Sequence, residues 1–78
     1  MADGEDKKTT AGSVEEVLPD SLFRVRLPDN EDGSEGALIL AYLAGKMKIN
    51  RIRVLVGDKV EMVLDPYGGR ARIVRRLS

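Results

Sequence analysis

Seventy-eight residues without cysteine or histidine leave one small core to build, with no disulfide, thiolate or imidazole to support it. The commonest general base, the commonest metal ligand and the thiol nucleophile are all missing, so the chain is expected to be neither an enzyme nor a cofactor carrier. A net charge of zero hides a division: residues 1–43 hold four Lys/Arg against ten Asp/Glu, and residues 44–78 hold nine against three, which gives the second half a field suited to polyanions.

Residues 1–11 are polar and lack both periodicity and the apolar segment of a secretory signal, and no apolar run reaches the length of a membrane helix. They are expected to form a disordered tail ahead of one domain over 12–78, in a cytoplasmic protein. Ser13–Leu18 reads as a first strand and Pro19-Asp20-Ser21 as a hairpin turn. Leu22–Leu27 alternates, with Phe23, Val25 and Leu27 on the core face and Leu22, Arg24 and Arg26 on the other. Residues 28–36, with Asp29, Glu31, Asp32 and Glu35 among Pro, Asn, Gly and Ser, read as a flexible acidic loop.

Ala37–Tyr42 is apolar on both faces, as in a strand buried in a barrel or covered by a partner. A short helical turn over Leu43–Asn50, an extended connection over Arg51–Val56 and a Gly57-Asp58 turn follow. Lys59–Leu64 is the fourth strand, directing Val60, Met62 and Leu64 inward. Asp65–Gly69 is a hairpin connection in which Tyr67, a stacking candidate, is expected to pack in the core or at the barrel end, and Arg70–Leu77 is an arginine-dense fifth strand. The fold class is therefore all-β: a five-stranded oligonucleotide-binding (OB) barrel with a short helical turn between strands three and four. A five-stranded SH3-like barrel, which replaces that helix by a tight turn, is the competing architecture.

The stretch Ala44–Val54 carries Lys46, Lys48, Arg51 and Arg53, separated by Met47, Ile49, Ile52 and Val54. The apolar residues are expected to anchor a ridge whose cations face a polyanion, although a merely solvated basic turn has the same composition. Met47 is both a candidate contact and a candidate core anchor. Arg24 and Arg26 project together from strand two, and Arg72 and Arg76 together from strand five; Arg70 and Arg75 complete the arginine set, with Glu15, Glu16 and Glu61 as competing ion-pair partners. Tyr42 is a candidate for stacking on a base. Three aromatics in all favour recognition of folded RNA by shape and backbone over an aromatic platform.

The blocks Gly12-Ser13-Val14, Leu18-Pro19, Phe23-Arg24-Val25, Gly45-Lys46-Met47 with Asn50, Ile52-Arg53, Gly57-Asp58-Lys59-Val60, Pro66-Tyr67 and Arg72-Ile73 with Arg75 make the chain resemble bacterial translation initiation factor one. The resemblance implies an S1-like OB barrel that binds the small ribosomal subunit at the decoding (A) site, and the protein is expected to be a monomer. It also implies contacts with ribosomal RNA and a small-subunit protein, and action with the other initiation factors. Lys46, Lys48, Arg51, Arg53, Arg72 and Arg75 are the RNA contacts it implies. The chain departs from the family pattern at Tyr42, where the family has His, at Arg51, often an aromatic, in the longer acidic loop, and in a shorter connection at 67–72. A general single-strand RNA chaperone on the same barrel is the alternative function; a protein-binding barrel with incidental basic charge is a third.

Overall fold

The computed structural model describes residues 9–77. The strands are β1 (Thr9–Leu18), β2 (Leu22–Arg26), β3 (Leu38–Leu43), β4 (Lys59–Val63) and β5 (Ala71–Arg76), with one short helix, α1 (Gly45–Ile49), between β3 and β4. They close into a barrel in the order β1-β2-β3-β5-β4, with β4 returning to β1. This is the OB barrel, and α1 stands where the SH3-like alternative has none.

Closure depends on β1 serving two partners. Its first half pairs with β4, from Thr9↔Val63 to Ser13↔Lys59, and its second half with β2, from Ser13↔Arg26 to Leu18↔Leu22. Gly12 sits at the changeover, where a Cβ would stand 2.6 Å from Val25 Cγ1 and 2.9 Å from the Arg26 carbonyl oxygen. Only glycine lets the backbones approach this closely. The strand already includes Thr9, ahead of the Ser13 start read from sequence, so Thr9–Ala11 of the expected tail belongs to the barrel. Pairing with β4, and the Thr9 hydroxyl donating to Glu61 (2.9 Å), orders a segment with no local signal of its own. Residues 1–8 of that tail lie outside the described residues.

Val14, Phe23, Val25, Ala41, Met47, Val54, Val60, Met62, Ala71 and Ile73 form the core. The alternation read from sequence places Phe23, Val25, Val60 and Met62 inward as expected. Leu64 is different: it lies past the end of β4 and is exposed. The β4–β5 ladder also shifts register, from Glu61↔Arg75 to Met62↔Ile73, so Val74 is an extra residue on β5. That bulge breaks the expected pairing of Arg72 with Arg76, because it changes the side-to-side alternation between them. Arg76 instead stands opposite Val60 at the barrel end and donates from Nη1 to the Arg53 carbonyl (3.1 Å).

The acidic loop is closed on itself. Asn30 N–H donates to the Ser34 carbonyl (2.8 Å), Gly33 N–H to the Asn30 carbonyl (2.9 Å), and the Ser34 amide to Asp32 Oδ1 (2.9 Å). The Ser34 hydroxyl and amide hold the Asp32 carboxyl below the usual carboxylate range. Arg26 ties the loop's end to the barrel: Nη1 donates to the Gly36 carbonyl (3.0 Å) while Nε and Nη2 grip the Glu15 carboxylate (3.0 and 3.2 Å).

Candidate nucleic-acid interface

α1 ends through its own backbone. Arg51 adopts φ +56° directly after it, and the Arg51 and Ile52 amides turn back to the Lys48 and Met47 carbonyls (3.1 and 3.0 Å). These paired bonds are how a helix closes at a left-handed residue, a place glycine usually takes. An arginine there carries a conformational cost, and observed backbone strain of this kind points towards function.

The closure decides which residues of the basic stretch anchor and which face out. Met47 is 1% exposed and Val54 is buried, so these two hold the segment to the core. Ile49, 80% exposed, and Ile52, 38% exposed, were expected to do the same and do not. In five helical residues only one apolar side chain reaches the barrel. Met47, offered by the sequence as both contact and anchor, is an anchor here, and the little surface it keeps lies in the groove described next.

Lys46, Arg51 and Arg53 from this segment and Arg75 and Arg76 from β5 line one groove of about 610 Å³, with Asn50, Ile52 and Val74 between them and Met47 at its base. Two basic segments separated in sequence thus meet on one surface. Among the described residues, Lys46, Lys48, Arg51 and Arg53 have no salt bridge; Arg75 Nε lies 3.4 Å from Glu61 Oε1 but its side chain stays largely exposed. A cluster of this sort, mostly guanidinium and with only Arg75 paired to a carboxylate, can take phosphate oxygens in forked pairs.

The remaining sequence candidates stand elsewhere. Lys48 is exposed on α1 but does not line the groove. Tyr42 and Arg72 are neighbours on the outer face across β3 and β5, and Tyr42 is opposite Leu22 on β2. Arg24, on the same face, is paired with Glu16 (3.1 Å), and Arg26 is committed to Glu15, whose carboxyl that hydrogen bond lowers. Arg70 lies on the β4–β5 connection beside a second, smaller groove.

Sequence reasoning passed over Asn50 as a groove residue, and Tyr67 was placed wrongly. Tyr67 is 94% exposed at the tip of the β4–β5 turn. Asp65 is the reason: its carboxylate accepts the Tyr67 and Gly69 amides (3.0 and 2.9 Å) while its carbonyl accepts the Gly68 amide (3.0 Å). The Asp-Pro-x-Gly spacing was the available signal, since Asp side chains cap their own turns and lift what lies between.

Topology and groove together define a small OB-barrel protein with a largely unpaired cationic surface. The family model described as translation initiation factor 1A / IF-1 matches residues 1–78, and the chain belongs to that family. It is 50% identical over 66 residues to translation initiation factor IF-1 of Rhodospirillum rubrum, a match covering 83% of this chain and 63% of that one. To the chloroplastic IF-1 of Glycine max it is 45% identical over 75 residues, 95% of this chain and 50% of the other. The chain therefore spans only about half to two thirds of these curated relatives.

Among solved structures, the translation initiation factor one of the Wolbachia endosymbiont of Brugia malayi superposes with a TM-score of 0.67 at 30% identity, over 100% of this chain and 90% of that one. YjeQ from Thermotoga maritima gives 0.68 at 25% identity, over 91% of this chain and 23% of that chain.

Proposed function

We propose that the chain is a cytoplasmic initiation factor that binds the small ribosomal subunit at the decoding site, through ribosomal RNA, and assists assembly of the initiation complex with the other initiation factors. It works by occupying a surface and not by catalysis. The observation that carries this reading is the groove in which Lys46, Arg51 and Arg53 face Arg75 and Arg76. Guanidinium groups on two sides of one trough suit a phosphate backbone held in a fixed shape, as in folded RNA. Tyr42 and Arg72, on the outer face of β3 and β5, add a second contact for RNA that wraps past the barrel end.

Kinship to initiation factors supports the ribosomal setting, and the small number of aromatics argues against a sequence-tolerant single-strand binder. Competition separates the two. Isolated small subunits should displace the protein from a labelled single-stranded oligonucleotide at concentrations where excess free oligonucleotide fails to displace it from subunits. Equal competition by free oligonucleotide would favour the RNA-chaperone reading. Affinity should also fall steadily as salt rises, because binding releases counterions from phosphate; a salt-independent affinity would point to a protein partner instead.

A further inference from the structure

β5 brings two arginines to the cationic groove, and the barrel treats them differently. Arg75 stands opposite Glu61 and stays largely exposed, its Nε 3.4 Å from that carboxylate. Arg76 stands opposite Val60, which is fully buried. Partners across a ladder share a face, so Arg76 leaves the strand on the core side, at the barrel end. The extra residue Val74 is the cause. In a regular ladder Arg75 would stand opposite Val60, and Arg76 would follow on the outer face. A bulge of this kind re-aims the side chain that comes after it.

What Arg76 meets at the barrel end is backbone. Its Nη1 donates to the Arg53 carbonyl (3.1 Å), so it ties β5 to the connection that follows α1. That connection has few other ties. The Ile52 amide is bonded to the Met47 carbonyl (3.0 Å) and the Leu55 amide to Asp58 Oδ2 (2.9 Å). Between them, among the described residues, Arg53 and Val54 make no backbone–backbone hydrogen bond. The buried Val54 side chain fixes how deep the segment sits, but one packed side chain leaves the peptide plane ahead of it free to turn. The guanidinium–carbonyl bond fixes that plane, and a charged donor makes the stronger kind of hydrogen bond. Arg53 and Arg76 both line the groove, so the bond also joins its two walls.

We propose that Arg76 is a positioning residue: its guanidinium is a strut that sets the separation of the groove walls and aims Arg53 at phosphate. Arg76 acts through Arg53 and is not itself the phosphate contact. The inference rests on the reading of this groove as an RNA surface. Phosphates of a folded RNA stand at fixed places, and a cation already held in its bound arrangement loses less freedom on meeting them. Lysine at this position would keep the charge but not the strut, because its ammonium is a strongly hydrated point charge on a flexible stem, without the planar fork.

Binding to isolated small subunits, measured for the parent, Arg76→Ala, Arg76→Lys, Arg53→Ala and the Arg53→Ala/Arg76→Ala pair, tests this. Backbone order parameters of each free protein, from NMR relaxation, complete the experiment. Arg76 is exposed, so its variants should fold. Arg76→Ala should weaken binding roughly three- to tenfold, and Arg76→Lys should weaken it as much. The pair should bind no more weakly than Arg53→Ala alone, whereas Lys46→Ala and Arg76→Ala should multiply their losses, Lys46 lying on α1 outside the tied segment. In free Arg76→Ala the order parameters of Arg53 and Val54 should fall while those of α1 and β5 hold.

Full rescue by Arg76→Lys, or losses at Arg53 and Arg76 that multiply, would make Arg76 a phosphate contact and overturn the inference. Unchanged order at Arg53 and Val54 in Arg76→Ala would overturn it equally. A parent that does not bind small subunits overturns the RNA reading itself. The two failures are told apart because the order parameters are read in the free protein.

Discussion

Replacing Arg51 by glycine should move stability and binding in opposite directions. Arg51 holds φ +56° so that its own amide and that of Ile52 can close α1 on the Lys48 and Met47 carbonyls. For a residue with a Cβ this conformation costs roughly 1–2 kcal/mol, and glycine escapes it. Glycine returns part of that gain, about 0.5–1 kcal/mol, through its greater freedom in the unfolded chain. A net stabilisation of roughly 0.5–1 kcal/mol remains, with the closing bonds intact. In a domain of this size that raises Tm by about 2–8 °C. The side chain also lines the cationic groove, so its loss should weaken small-subunit binding and reduce the dependence of log affinity on log salt by about one phosphate contact. Thermal unfolding by circular dichroism, run beside subunit binding at several salt concentrations, reads both effects. A lower Tm would refute the reading of a strained helix end, and an unchanged affinity and salt slope would remove Arg51 from the interface.

Met47→Ala should destabilise by roughly 2–5 kcal/mol in chemical denaturation, because its side chain is nearly fully buried; Ile49→Ala, on the exposed side of the same helix, should stay within about 0.5 kcal/mol of the parent. Gly12→Ala should cost about 1–3 kcal/mol by forcing a methyl group against Val25 and the Arg26 carbonyl, and a melting temperature equal to the parent's would show that β1 can yield there. The Glu15 and Asp32 carboxyls are held below their ordinary values by Arg26 and Ser34. A lowered folded value means stability that is present above the unfolded pKa and lost as pH falls through the folded one, so Tm should be level near neutrality and drop below about pH 4. Glu15→Gln should make that drop shallower, and a Tm that rises on acidification would contradict the assignment.

The barrel was legible in the sequence because its inward residues alternate: Phe23 and Val25, Val60 and Met62, Ala71 and Ile73 all fall on the face their spacing assigns. What escaped was set by partners distant along the chain. Thr9–Ala11 has no apolar pattern, and only β4 orders it. The face of Arg76 depends on a bulge that puts Val74 out of step, and nothing in Arg-Ile-Val-Arg-Arg announces it. Within the basic stretch the cations were legible and the anchors only half so. A helix of five residues closed by a left-handed Arg51 turns Met47 inward and leaves Ile49 in water. That the groove would pair this stretch with Arg75 and Arg76 is a matter of barrel closure, which brings β5 beside the α1 end.

Chemical probing of the ribosomal RNA in isolated small subunits, with and without the protein, tests the central claim most directly. The account predicts protection concentrated at the decoding site, retained by Lys59→Ala, outside the groove, and lost by Arg53→Ala combined with Arg75→Ala while both variants melt like the parent. Protection confined to another part of the subunit, or undiminished in the folded double variant, would contradict it.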